Sequence, residues 1–216
     1  MSLSAGFPDV VTFGTAGAVY RTEDGGKSWR QRYTDDRTDG RIASTGLELT
    51  CLFEIVPDRT KRGKYFFGYA DVGLFVTEDD GRTLSRAMKG AWGDCFSVCP
   101  SLDDPSLVWG AFGGKGANPW HKIYESRDGG YSWSALTDAK EPWSHCWPAA
   151  LQCMNRGDTR RLAYIATGHG VALSEDSGRT WSLVSTNEFA GAKRISSLVA
   201  RGRTLLVGLN ATDNDN

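Results

Sequence analysis

Long apolar runs are missing from this sequence. No stretch approaches the roughly 20 residues that a membrane-spanning helix needs. The opening MSLSAGFPDVV has neither the basic nor the apolar segment of a secretory signal. No membrane partner is expected, the chain reads as soluble, and its compartment stays open, with secretion expected if it degrades polysaccharide. Charge of one sign is lacking too. The formal net charge is −1 and no long run of like charges occurs, which gives a nucleic-acid partner no footing. The five cysteines, an odd number, cannot all pair within the chain, which argues against a disulfide scaffold. Helical periodicity is also absent: no segment keeps a 3.6-residue apolar repeat long enough for a helix. What the 216 residues do have is 40% hydrophobic content, enough for one sizeable core.

They also repeat. SEDSGRTW from Ser174 matches TEDGGKSW from Thr22, TEDDGRTL from Thr77 and SRDGGYSW from Ser126. The shared box is Ser/Thr-x-Asp-x-Gly-x-Ser/Thr-Trp, with Leu84 in place of the tryptophan in the second copy. The central aspartates, Asp24, Asp79, Asp128 and Asp176, are spaced by 55, 49 and 48 residues. A four-stranded propeller blade has a period of about 40 to 50 residues. Short β-branched and aromatic runs bounded by Gly, Pro and Asp surround each box, such as CLFEIVP, KYFFGYA and GLFVT before the second. The expectation is one all-β domain over 1–216, a β-propeller of four-stranded antiparallel blades. Blades are expected at about 8–34, 48–88, 94–137 and 147–185, with a partial fifth at 194–210. Four to five blades of this kind can also form part of a larger propeller.

The boxes resemble the Asp-box, or BNR, repeats of the sialidase-like β-propeller superfamily, closest to those of xyloglucan endoglucanases and sortilin-type receptors. Sialidases, xyloglucan endoglucanases, sortilin-type receptors and photosystem assembly factors share the box, so the resemblance implies a fold and not one function. It implies that each box spans the turn between a blade's third and fourth strands. There the aspartate accepts hydrogen bonds from turn amides. Gly26, Gly81, Gly130 and Gly178 permit a positive φ, and Trp29, Trp133 and Trp181 wedge into apolar packing. A calcium loop would need oxygen ligands where the copies hold Gly26, Arg179 or Tyr131. Cys95 and Cys99 share one strand and read as packing residues. No metal and no cofactor is expected.

Consecutive strands of a blade are antiparallel, so its turns alternate between two ends. The end without boxes gathers the loops 15–18, 70–73, 113–122 and 168–170 and the links 34–47, 89–94, 137–147 and 185–193. Four of the eight tryptophans, Trp92, Trp120, Trp143 and Trp147, fall in these segments. Indole faces stack on sugar C–H faces, and His121, His145, Asp94 and Glu141 lie in the same segments to hydrogen-bond hydroxyls.

Asp71 is the candidate for chemistry. Asp71-Val72-Gly73 resembles part of the Asp-Ile/Val-Gly-Gly-aromatic-Arg turn that carries a catalytic aspartate in xyloglucan endoglucanases. The second glycine and the arginine are absent here, where Leu74, Phe75 and Val76 follow. An inverting glycosidase needs a second carboxylate roughly 6.5 to 9.5 Å away, and Asp94 is the expected partner. The sialidase machinery has no counterpart, because no Phe/Tyr-Arg-Ile-Pro segment precedes the first box. Two functions remain open: a glycan-binding or glycoside-hydrolase-like propeller using the tryptophan-rich end, or a non-catalytic propeller that binds protein. The chain opens on VVTFGT, which aligns with a blade's second strand, and closes on ISSLVA and TLLVGLN. Open strand edges favour association, so self-association is also expected.

Overall fold

The computed structural model describes residues 2–4, 7–14, 19–31, 34–44, 51–87, 93–114, 121–136, 148–153, 162–166, 170–185, 195–201 and 204–209. Blade one is β1 (Ser2–Ser4), β2 (Phe7–Gly14), β3 (Val19–Thr22) and β4 (Arg30–Gln31), hydrogen-bonded in that order. A hairpin follows, β5 (Thr34–Asp36) and β6 (Ile42–Ser44). Blade two is β7 (Leu52–Pro57), β8 (Tyr65–Tyr69), β9 (Gly73–Thr77) and β10 (Ser85–Arg86). Blade three is β11 (Asp94–Pro100), β12 (Val108–Gly113), β13 (His121–Ser126) and β14 (Ser134–Ala135). Blade four is β15 (Pro148–Cys153), β16 (Leu162–Ala166), β17 (Gly170–Ser174) and β18 (Ser182–Ser185). The pair β19 (Ile195–Arg201) and β20 (Thr204–Leu209) begins a fifth. The architecture is the expected one, an all-β propeller of four-stranded antiparallel blades.

Two local readings are corrected. Blade one does not open on its second strand, because Ser2–Ser4 pairs with β2 ahead of it. Three residues, two of them serine, carry no strand signature in the sequence. The link 34–47 does not belong wholly to the end without boxes. The main chain of Ile42 exchanges two hydrogen bonds with Leu84, of 2.8 and 2.7 Å, which sets the hairpin beside the outer edge of blade two. Arg41 Nη1 then reaches the second box, at 3.0 Å from Thr83 Oγ1 and 3.8 Å from Asp79. Leu84 is buried beneath this contact. The hairpin thus covers the position at which the other boxes carry tryptophan.

The core lies between blades. Every residue of β11 is buried, because blade two covers one side of it and blade four the other. Phe66, Leu74 and Val76 of blade two pack with Val98, Val108 and Phe112 of blade three. Burying side chains of this size stabilises by about 1.5 to 3 kcal/mol each. Trp133 closes that joint, and Trp181 closes the next one, over Trp109, Ile123 and Leu151. The Trp109 Nε1–H donates to the Ser177 carbonyl of blade four at 3.2 Å. Trp29, the box tryptophan of blade one, is 40% exposed and stacks edge-on to Phe13 of its own blade.

The first strands of blades two, three and four and of the partial fifth share one irregularity. Their registers shift between Leu52 and Glu54, Cys95 and Ser97, Pro148 and Ala150, and Ile195 and Ser197. One extra residue is inserted at the same rung of each of these four strands, which is a bulge in β7, β11, β15 and β19.

Candidate functional site

The box turns use up their own polar groups. In the first, the Thr22 hydroxyl accepts the Gly26 amide at 2.9 Å and donates to Asp24 at 2.7 Å. Asp24 accepts the Ser28 amide at 2.9 Å and the Ser28 hydroxyl at 2.5 Å. The same bonds recur from Thr83, Ser132 and Thr180 to Asp79, Asp128 and Asp176. Gly26, Gly81, Gly130 and Gly178 have φ of 90°, 85°, 102° and 86°, a left-handed conformation open to glycine. Amides of Asp80 and Gly129 donate to the carbonyls of Gly63 and Ser106, which ties the second and third boxes to the connection between their blades' first two strands. The boxes are turns that hold the blades together at one end, with their carboxylates committed to that task.

Asp71 sits at the other end. Tyr69 pairs with Gly73 to close the β8–β9 turn, and the Ala70 amide donates to the Cys51 carbonyl at 2.8 Å. Asp71 itself has φ 65° and is exposed. In blade four Ala166 pairs with Gly170 in the same way, and the sequence places Gly168 where blade two has Asp71. A residue with a Cβ is strained there by roughly 1 kcal/mol, less for aspartate than for most. Asp94, 1% exposed, accepts the Asp71 amide on Oδ1 at 2.7 Å. The aspartate expected as a second carboxylate across a cleft therefore touches the Asp71 turn directly, from the first residue of the next blade.

The sequence reading missed the neighbours. Leu52 and Phe53, at the Asp71 end of β7, are 41% and 44% exposed, and the Phe53 ring stacks on Phe96 with centroids 5.6 Å apart. Phe53 and Phe96 are the inserted bulge residues, which a strand pattern read as alternating core does not reveal. One rung on, Glu54 turns toward β11, and burial pushes its carboxyl up to about 7 despite hydrogen bonds from Val98 and Ser97. Burial likewise pushes the Cys95 thiol up, with Glu54 and Asp94 beside it adding to the effect. Cys95 and Cys99 are buried in β11, and neither forms a disulfide. His121 opens β13 opposite Gly113. Trp92, Trp120, Glu141, Trp143, His145 and Trp147 lie outside the described residues.

No family model matches the chain, and no curated protein matches it. Solved structures do. The crystal structure of an ancestral GH74 enzyme superposes with a TM-score of 0.51 at 12% identity, over 85% of this chain and 27% of that one. YCF48 bound to a D1 peptide gives 0.49 at 17% identity, over 98% and 64% of the two chains. A variant of NanB sialidase from Streptococcus pneumoniae gives 0.41 at 15% identity, over 79% and 26%. The likeness to the GH74 enzyme is one of fold, the β-propeller, and this chain spans about a quarter of that enzyme's length.

Proposed function

We propose that this propeller binds a glycan at the end of its blades opposite the box turns. One observation carries the reading: an exposed aspartate occupies a left-handed position where a sister blade has glycine. Local folding does not require a side chain there, and strain of this kind accumulates at binding and catalytic positions. Asp71 is held by a buried partner, and the exposed Phe53 ring lies at the same end of its blade. A carboxylate accepts hydrogen bonds from sugar hydroxyls, and an aromatic face stacks on the C–H side of the ring. Trp92, Trp120, Trp143, Trp147, His121 and His145 complete the surface in this proposal, by their positions in the sequence. Asp94 is the positioning residue that presents Asp71. If the protein also cleaves its ligand, Asp71 is the group that faces the substrate.

The substitution Asp71→Gly separates local folding from binding. Glycine adopts the same φ without strain, so the melting temperature should stay within about 2 °C of wild type. Loss of a charged acceptor should weaken binding to soluble β-glucans, followed by tryptophan fluorescence, about 10- to 100-fold. Release of reducing ends in the same samples reads hydrolysis. Wild-type protein that binds none of a broad polysaccharide panel would overturn the reading and favour the protein-binding scaffold.

A further inference from the structure

A bulge takes an amide out of its own sheet, and here the displaced amides are received by the preceding blade. The Val98 amide of blade three donates to Glu54 Oε1 of blade two. The Leu151 amide of blade four donates to Ser97 Oγ of blade three at 3.0 Å. Val98 and Leu151 occupy the same place after their bulges, and Glu54 and Ser97 the same place within theirs. The two bonds form one series, because the Ser97 hydroxyl also faces Glu54 Oε2 at 3.4 Å. A line of hydrogen bonds thus crosses the first strands of three blades. Serine performs this task as a neutral group. The matching positions hold Glu54, Ser97, Ala150 and Ser197, and only Glu54 can ionise.

We propose that Glu54 makes the joint between blades two and three proton-linked, tight with the carboxyl neutral and weaker with it ionised. Both bonds are donated to the carboxyl oxygens, by the Val98 amide and the Ser97 hydroxyl; a neutral carboxyl keeps the first on its carbonyl oxygen and can turn its own hydroxyl to Ser97 Oγ. An ionised one leaves a half-buried charge without a cation. The titratable neighbours across the joint are Cys95 of β11 and, beside Cys95, Asp94, and neither supplies a positive charge. The rung partner on β8 is Gly68, which has no side chain, and β15 presents Leu151. None of β8, β11 and β15 contains lysine, arginine or histidine. Burial pushes the carboxyl from 4.5 to about 7. The folded chain then holds this proton more tightly than the unfolded chain does. The resulting stability is fully present below about pH 4.5 and is lost as pH rises through about 7. The inference does not depend on the glycan reading.

Thermal melts of the whole chain between pH 4.5 and 8 test it. The wild type should lose about 5 to 10 °C across this range, and Glu54→Gln, a permanently neutral mimic, less than half of that. Histidines titrate in the same window but contribute equally to both proteins, so the difference isolates Glu54. Parallel profiles would overturn the proposal. Should the glutamine variant fail to fold, carboxyl carbon NMR of glutamate-labelled wild type decides: one glutamate titrating near pH 7 supports the joint, and all glutamates titrating below about pH 5.5 refutes it.

Discussion

The buried carboxylate of Asp94 holds the main-chain amide of Asp71 at 2.7 Å, so the first residue of blade three fixes the turn that blade two offers to solvent. Removal of that acceptor leaves a donor unsatisfied at the joint. Asp94→Ala should cost about 1 to 3 kcal/mol in urea unfolding. Asp94→Asn keeps an oxygen toward the amide and should recover part of that loss. Equal unfolding midpoints for Asp94→Ala and wild type would show that the turn stands without it.

The box carboxylates make the fold sensitive to acid. Asp24 is held at about 2, chiefly by the Ser28 hydroxyl. Partial burial pushes Asp79, Asp128 and Asp176 upward, but hydrogen bonds led by the Thr83, Ser132 and Thr180 hydroxyls outweigh it, and they too lie at about 2. Their ordinary value is 3.8. Because the folded values are depressed, this stability is complete above about pH 4 and disappears as pH falls through about 2. Asp128→Asn should melt about 2 to 4 °C below wild type at pH 6, and the gap should close on acidification to pH 2. A gap that stays constant would refute the assignment. With Glu54 acting in the opposite sense, maximum stability is expected at about pH 4 to 5.

Restoring the template at the second box should do harm. Leu84 is buried and its main chain is paired with Ile42, so an indole has no space beneath the hairpin. Leu84→Trp should destabilise by about 1 to 3 kcal/mol through overpacking. A stabilised variant, read by urea midpoint, would mean that the hairpin does not occupy the site.

Gly68 sets the spacing of blades two and three. A Cβ built there meets the Cys95 carbonyl at 2.9 Å and its sulfur at 3.3 Å. The carbonyl belongs to a fully buried strand and cannot yield. Gly68→Ala should therefore lower stability by about 1 to 3 kcal/mol, measured by denaturant unfolding. An unchanged midpoint would show that the blades lie further apart.

The boxes were legible in the sequence because their chemistry is local: hydroxyl, aspartate and glycine act on one another within eight residues, four times over. The blade period and the alternation of turns then gave the two ends. What the sequence hid depends on long-range pairing. The shift at Leu52–Glu54 moves every following side chain of β7 to the opposite face, so Ile55, in what reads as a core strand, is 52% exposed. The hairpin 34–44 reads as a loop because its strands are short and polar, and only the pairing of Ile42 with Leu84 gives it a place. Asp94 was picked out as a residue of the Asp71 end. Its acceptor role required knowing that the Asp71 amide points outward from its own blade.

The repeated bulge also grades the molecule mechanically. Glu54 ties blade two to three with a carboxyl and Ser97 ties three to four with a hydroxyl. Ala150, at the same place in blade four, offers no side-chain oxygen, and the next joint rests on apolar contact of Ile195 and Leu198 with Ala150 and Leu173. Pulled from its C-terminal end in a single-molecule tether, the chain should shed β19 and β20 at the lowest force, then part at the serine joint, then at the glutamate joint. Raising the pH toward 8 should lower the last of these ruptures alone. The blades are thus joined by a row of clasps of unequal strength, graded from carboxyl to hydroxyl to apolar contact.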